Sequence, residues 1–208
     1  WVLIVVSILF LISFSILYYQ YHRSKKDTIT RPLIAAQLLV KPKTIHPFHF
    51  QSTFHASFSI HSLLGHWTLL FFGFTHSPYI TPATLRQLST LDILLEQTVT
   101  HHLWPQVVMV SIDPVRDNLA HLKSYLHQFE PEFIGVRGSL QDLRQFAQPM
   151  NVVFNKIPMA GKDQYLMTHS AQIIVINPNA QIVAFLSYPQ QSEQMLIDYE
   201  ILLQKTIA

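Results

Sequence analysis

Two hydroxyl residues, Ser77 and Thr81, stand four positions apart in a short stretch that has the outline of a thiol active-site loop. A strand-like apolar run, "WTLLFF", precedes this stretch, and Pro82 follows it at the expected start of a helix. Thiols at two such positions could exchange disulfides or bind a soft metal ion. The chain contains no cysteine, which excludes thiolate nucleophiles, disulfides and Cys-ligated zinc or iron–sulfur sites.

Each hydroxyl has a structural and a chemical interpretation. Thr81 directly precedes Pro82 and is predicted to be the N-cap of the helix. Ser77 precedes Pro78 and is predicted to be an ordinary turn residue. The chemical alternative is a hydrolase in which Ser77 is a nucleophile activated by His76. Adjacent side chains usually diverge, however, and no G-x-S-x-G frame surrounds the serine.

The twelve histidines are the other candidate ligands, and five of them crowd the region before the loop: His46, His49, His55, His61 and His66. Imidazole suits copper, zinc and nickel. The spacing follows neither one helical face nor an unbroken strand alternation, and no H-E-x-x-H motif is present. We interpret these residues as surface histidines, with a histidine-built metal site as the alternative.

A charged stretch, "DPVRD", follows the second strand-like run, "QVVMVSID". Asp113 and Pro114 predict the N-cap and the first residue of a helix. Arg116 and Asp117 add local charge pairing. We interpret this stretch as structural.

Composition limits the class of protein. The chain has 208 residues, 49% of them hydrophobic, which is enough for one domain with an appendage. The formal net charge is +2, and the scattered lysines and arginines form no phosphate-tracking patch. We therefore expect no nucleic-acid partner.

The first nineteen residues carry no charge: "WVLIVVSILFLISFSILYY". A helix of this length nearly spans the hydrocarbon core of a bilayer, about 30 Å. We predict a transmembrane anchor over residues 1–19, with a signal peptide or a buried helix as alternatives. Residues 20–46 mix charge, proline and short apolar pieces and are predicted to be a tether. Its cluster at 23–26 contains Arg23, Lys25 and Lys26, which by the positive-inside rule favour a cytoplasmic C-terminal part.

The remaining pattern predicts an α/β fold. "FHFQSTFHASFSI" alternates as a hairpin, and the two apolar runs already quoted are typical of strands buried on both faces. Leucines at helical spacing follow each run. "SLQDLRQFAQ" begins with a capping serine, "AQIIVINPNAQIVAFL" is a second hairpin, and "SEQMLIDYEILLQK" is a closing helix. The predicted order is hairpin, β, α, β, α, α, hairpin, α, with helical crossovers over one central sheet.

Four successive blocks resemble the SCO/SenC family: "GHWTLLFFGFTHSPYITPATL", "VSIDPVRDNLAHLKSYLHQF", "FIGVRGSLQDLRQFA" and "HSAQIIVINPNAQIVAFLSYP". Members of this family are membrane-anchored, thioredoxin-like proteins that help assemble the copper centre of cytochrome c oxidase. The resemblance implies a thioredoxin-like domain over residues 47–208, carried by the anchor and the tether. The family layout implies a single-pass protein whose domain lies on the periplasmic or equivalent non-cytoplasmic side, opposite to the side that the positive-inside rule favours.

The family binds copper and exchanges disulfides through a C-x-x-x-C loop and a distant histidine. The resemblance puts the two cysteine positions on Ser77 and Thr81, and the histidine on His169 in a loop that faces them. The family loop is also matched at four neighbouring positions: Thr75, His76, Pro78 and Pro82. Tyr79 differs, because it stands where an acidic residue is common. The chain therefore departs from the family at both thiol positions.

The departure leaves two leading hypotheses. In the first, the protein is a non-enzymatic accessory factor in cytochrome c oxidase assembly, with a degenerate loop and with an oxidase subunit or another assembly factor as its partner. In the second, it binds or delivers copper through His169 and other histidines. We assign no cofactor from the sequence, and copper is the metal that the resemblance implies.

Overall fold

The computed structural model describes residues 12–15, 18, 32–159 and 164–207. One compact unit spans Leu33–Asp198 and contains every residue of the candidate site. In the second unit, the described residues 12–15 are helical, and residues 199–207 belong to the C-terminal helix. Most of the predicted anchor (1–19) and the tether up to residue 31 lie outside the described residues. No helix within the described ranges is long and apolar enough to cross a bilayer.

An eight-stranded mixed sheet organises the unit Leu33–Asp198, in the spatial order β1-β10-β9-β4-β5-β6-β2-β3. Its strands are β1 (Ala36–Thr44), β2 (His49–Ser52), β3 (Phe58–Ser59), β4 (Thr68–Gly73), β5 (Gln106–Ser111), β6 (Ile134–Arg137), β9 (Ile173–Ile176) and β10 (Gln181–Leu186). β7 (Phe154–Pro158) and β8 (Tyr165–His169) form a separate antiparallel pair. The helices are α1 (Ile80–Thr98), α2 (Leu119–Leu126), α3 (Leu140–Ala147) and α4 (Ser192–Ile207). The α/β prediction is confirmed.

The centre of the sheet follows from two apolar runs. Every residue of β4 and all but the first residue of β5 are buried, as expected of strands covered on both faces. β4 and β5 are parallel, which requires a crossover, and α1 provides it. The predicted leucine stripe of α1 is fully buried: Leu85, Leu88, Leu91 and Leu95. The two predicted hairpins are also confirmed, as β2–β3 and β9–β10.

The first strand corrects the predicted tether. Residues 36–44 do not form a linker but pair with β10 as an antiparallel edge strand. The buried carboxylate of Asp198 accepts hydrogen bonds from the backbone N–H groups of Ile34, Ala35 and Ala36 at 2.6–2.7 Å and holds the entry to this strand. The sequence did not indicate a strand here because the segment contains Pro42 and exposed charges, which are untypical of central strands. An edge strand tolerates both.

Two further predictions about local structure are wrong in part. α2 begins at Leu119 with Asn118 as its N-cap, whose side chain accepts from His121 N–H, so Asp113 and Pro114 do not start the helix. The sequence also missed β6, a four-residue strand that contains Gly135, and the β7–β8 pair. Ser139 does cap α3 as predicted, since its side chain accepts from the backbone N–H of Asp142.

Candidate functional site

The candidate loop, residues 74–79, lies at the carboxyl end of β4. Because β4 and β5 are parallel with Gly73 opposite Ser111, this loop is beside the segment 112–118 that follows β5. Ile112 N–H donates to Gly73 C=O at 3.0 Å and holds the two strand ends together. A Cβ atom at Gly73 would lie 3.0 Å from Thr81 Oγ1, so glycine allows α1 to begin close against β4. α/β proteins commonly bind ligands at such an edge.

The two hydroxyls at the predicted cysteine positions are buried and hydrogen-bonded within the loop. Ser77 Oγ accepts from Thr81 N–H at 3.2 Å, and Thr81 Oγ1 accepts from Phe74 N–H at 3.3 Å. The side chains are 8% and 0% exposed, respectively. The sequence predicted Thr81 as the N-cap of α1, and this prediction is wrong. The helix begins at Ile80, and the Thr81 side chain turns back to the loop. Ser77 instead satisfies one of the free N–H groups of the first helical turn.

The hydrolase alternative lacks its first requirement, a contact between nucleophile and base. His76 Nδ1 lies 2.9 Å from Thr75 Oγ1. No hydrogen bond joins Ser77 to His76 in the part of the chain that the structure describes. Since Ser77 is buried and engaged with Thr81, this serine is not arranged as an activated nucleophile.

His169 is the last residue of β8 rather than a loop residue, paired with Phe154 across the hairpin. Its ring stands edge-on to Phe74, with ring centroids 5.9 Å apart and an interplanar angle of 85°. This contact brings His169 to the first residue of the candidate loop. β8 has an alternating half-buried pattern that the sequence-based assignment did not recognise as a strand.

The chemistry of His169 is that of a neutral imidazole with a free acceptor nitrogen. Nδ1 lies 2.9 Å from the carbonyl oxygen of Ser170, which can only accept, so Nδ1 carries the proton. Nε2 is buried and has no hydrogen-bond partner among the described residues. Burial lowers the pKa of His169, and the bond to Ser170 opposes this shift. His169 Nε2 is therefore able to act as a ligand.

A polar cluster joins the segment after β5 to β8. Arg116 forms an ion pair with Asp113, as the sequence predicted. Tyr165 donates its hydroxyl to Asp113 at 2.7 Å, and the Arg116 guanidinium lies 3.9 Å from the centroid of the Tyr165 ring. Burial and the bond to Asp113 raise the pKa of Tyr165 to about 12. This cluster positions the strand that carries His169.

Asp117 does not share in that ion pair but faces the candidate loop. Its fully buried carboxylate accepts from Thr75 Oγ1 at 2.5 Å, from Thr75 N–H at 3.2 Å and from Ser111 Oγ at 2.7 Å. His121, on α2, places Nε2 3.0 Å from the same Thr75 hydroxyl. His76, Asp117 and His121 therefore converge on Thr75.

The sequence did not identify this convergence. His121 follows Asp117 by four residues across the start of α2, which was a usable local signal, but His76 joins them only through the β4–β5 register. The five histidines before the loop are all exposed, as interpreted from the sequence. His76, Asp117 and His121 form the one group of three or more potential ligands within the described ranges, with ligand atoms within 4.8 Å of one another.

Comparison with known proteins gives a consistent family assignment. The SCO1/SenC family matches residues 36–204. The SCO1 homolog 2 protein of Arabidopsis thaliana mitochondria is 35% identical over 137 residues, which cover 66% of this chain and 49% of that protein. The chain spans about half the length of the curated relatives it matches.

Solved structures show the same thioredoxin-like fold. A crystal structure of Arabidopsis thaliana ScoI with copper bound superposes with a TM-score of 0.70 at 25% identity and covers 77% of this chain and 98% of that chain. Yeast Sco1 with copper bound gives a TM-score of 0.69 at 25% identity and covers 80% and 90%, respectively. With the family matched over residues 36–204, this chain belongs to the SCO1/SenC family.

Proposed function

We propose that this protein is an accessory factor in the assembly of cytochrome c oxidase that acts without thiol or thiolate chemistry of its own. Membership of the SCO1/SenC family supports the proposed role in oxidase assembly. The absence of thiol chemistry is supported by the hydrogen bond from Thr81 N–H to Ser77 Oγ. In this bond the Ser77 hydroxyl stabilises the backbone of the loop.

Copper does not fit the positions that the family resemblance predicts. Ser77 and Thr81 offer neutral hydroxyls, which are poor ligands for Cu(I), and both oxygens already accept hydrogen bonds. His169 Nε2 alone is available as a ligand there. Serine and threonine can form neither a disulfide nor a mixed disulfide. We therefore derive no copper or redox step through this loop.

The partner we propose is an oxidase subunit or another assembly factor that contacts the loop. Tyr79 is 78% exposed, next to the exposed Pro78. Exposed aromatic side chains are enriched at protein interfaces. We expect Tyr79→Ala to weaken cross-linking to the oxidase, whereas Ile93→Ala, an exposed change on α1, leaves it intact.

We also propose that residues 1–19 anchor the protein in a membrane as a single-pass helix. The uncharged apolar run of that stretch supports this. The orientation we propose places the domain on the periplasmic or equivalent non-cytoplasmic side, opposite to the side that the charges of residues 23–26 favour by the positive-inside rule.

Deletion and rescue test the function. Deleting the gene in the source organism should lower cytochrome c oxidase activity and the copper content of the oxidase. Both the natural chain and Ser77→Ala should restore them, because the serine performs no chemistry. Normal oxidase activity in the deletion strain contradicts the proposal, as does failure of a stably folded Ser77→Ala protein to rescue.

The second candidate function is copper binding through His169. The buried Nε2 without a hydrogen-bond partner and the lowered pKa of the ring favour it. A Cu(I) titration of the natural chain and His169→Ala distinguishes the two functions, since only the second predicts a large difference between them.

A further inference from the structure

We propose that His76, which belongs to the candidate loop, forms a binding site for Cu(II) together with Asp117 and His121. The site uses none of the positions that correspond to the family's cysteines and distant histidine. It also stands independently of the proposed role in oxidase assembly. It would give a chain without cysteine a place for a copper ion.

The three ligand atoms come from separate segments that the sheet brings together. His76 is in the loop after β4, Asp117 is in the segment after β5, and His121 is in the first turn of α2. The ligand atoms lie within 4.8 Å of one another, with His76 Nδ1 3.9 Å from Asp117 Oδ1. The imidazole rings of His76 and His121 have centroids 5.8 Å apart.

The negative charge of the buried Asp117 carboxylate favours binding of a cation. Asp117 is fully buried, and a buried carboxylate needs hydrogen bonds and an opposite charge to offset its lost hydration. Three donors contact it, but the nearby Arg116 is paired with Asp113 instead. His76 Nδ1 lies 3.9 Å from Asp117 Oδ1 and offers a positive charge only when its ring is protonated. A metal ion held between the carboxylate and two neutral imidazoles would supply that charge instead.

Thr75 holds the ligands close together before an ion arrives. Its hydroxyl donates to Asp117 Oδ1 and lies 2.9 Å from His76 Nδ1 and 3.0 Å from His121 Nε2. Around a square-planar or tetragonal Cu(II) ion with metal–ligand lengths of about 2.0 Å, neighbouring ligand atoms lie about 2.8 Å apart and opposite ones about 4.0 Å apart. Both imidazoles are exposed, so small rotations of their side chains can close this difference and the ion can enter from solvent.

The donor set narrows the choice of metal. Two imidazole nitrogens and one carboxylate oxygen suit borderline ions better than soft Cu(I) or hard Mg²⁺ and Ca²⁺. Among divalent first-row ions, Cu(II) binds such a set most tightly. Three protein ligands leave at least one coordination position for water or for a ligand from a partner.

The test is a Cu(II) titration of the 208-residue chain, kept in non-ionic detergent with glycine as a competitor that suppresses weak binding by scattered histidines. We expect one equivalent of Cu(II) and an electron paramagnetic resonance signal with two imidazole nitrogens. Loss of an outer-shell partner typically costs about 10- to 100-fold in metal affinity, so His76→Gln and His121→Gln, which each remove a direct ligand, should each weaken binding by about 100-fold or more. Each variant should retain one imidazole nitrogen in its signal.

His127→Gln is the matched control, because this exposed histidine directly follows α2 and should leave binding unchanged. The two ligand variants change different segments, so one remains informative if the other folds poorly. Wild-type affinity in both ligand variants overturns the proposal, as does an equal loss in His127→Gln. Loss in His169→Ala with retention in His121→Gln overturns it in favour of His169. None of these results depends on oxidase activity, which tests the proposed function separately.

Discussion

The hydroxyl of Ser77 accepts a hydrogen bond from the backbone N–H of Thr81, four residues along the chain, at 3.2 Å. Thr81 in turn accepts from Phe74 N–H at 3.3 Å, so the two side chains fix the loop from both ends. Each hydroxyl takes a structural role that needs only an oxygen acceptor. A loop with the outline of a thiol active site can therefore keep its conformation without thiols.

Removing the Ser77 hydroxyl should destabilise the domain. Ser77→Ala leaves Thr81 N–H without its acceptor in a buried turn, and we expect a loss of about 1 kcal/mol in the free energy of unfolding. Urea denaturation measures this loss. Ser124→Ala, an exposed change on α2, should not lower the stability. A Ser77→Ala midpoint no lower than that of this control contradicts the structural role.

His169 should make stability depend on pH. Its pKa is lowered in the folded state, mainly by burial, so the unfolded chain binds this proton more readily. The contribution is complete above the ordinary imidazole pKa of about 6.5 and is lost as the pH falls from there towards the lowered folded pKa. Between pH 7.5 and pH 5.5, the free energy of unfolding, measured by urea denaturation, should therefore fall less for His169→Gln than for the natural chain. An unchanged loss contradicts the burial-driven shift, and His127→Gln controls for exposed imidazoles.

The parts of the fold that the sequence predicted are those with strong local patterns. β4 and β5 are apolar throughout, and α1 carries four leucines at helical spacing. β1 could not be recognised in this way. Whether this segment is a strand or a linker depends on its pairing with β10 and on the hydrogen bonds from its entry to Asp198, more than 160 residues from Ile34.

The candidate site shows the same division. Asp113 and Arg116 are three residues apart, and their ion pair was predictable. The meeting of His76 with His121 was not, since it depends on the parallel register of β4 and β5 and on where α2 begins. Thr81 before Pro82 is a good N-cap signal, but α1 starts at Ile80, two residues before Pro82, and the Thr81 hydroxyl accepts from Phe74 N–H instead.

Asp198 should be a major determinant of stability. Asp198→Asn replaces a buried carboxylate that accepts from three backbone N–H groups, and the amide nitrogen cannot accept. Because hydrogen bonds to charged groups contribute more than neutral ones, we expect a loss of about 3 kcal/mol, measured by urea denaturation. The control is Glu193→Gln, an exposed change in the first turn of α4. Similar effects of the two changes contradict the role assigned to Asp198.

Deleting residues 1–20 should release a soluble, folded domain. The uncharged run lies in that segment, and the unit that contains the central sheet begins only at Leu33. Membrane fractionation and circular dichroism of the truncated and 208-residue chains measure the outcome. If the truncated protein still pellets with membranes after a high-salt wash, another hydrophobic surface holds it there and the anchor prediction is wrong.

Competition for Cu(I) tests most directly whether Ser77 and Thr81 leave the loop without a Cu(I) site only because the thiols are missing. The natural chain, His169→Ala and Ser77→Cys/Thr81→Cys are each titrated against a Cu(I) chelator. Two thiolates beside an imidazole suit low-coordinate Cu(I), so the double variant should bind far more tightly than the natural chain. The natural chain should bind weakly and no better than His169→Ala. Competition by the natural chain at sub-micromolar free Cu(I), lost in His169→Ala, would contradict the account and make His169 a copper ligand.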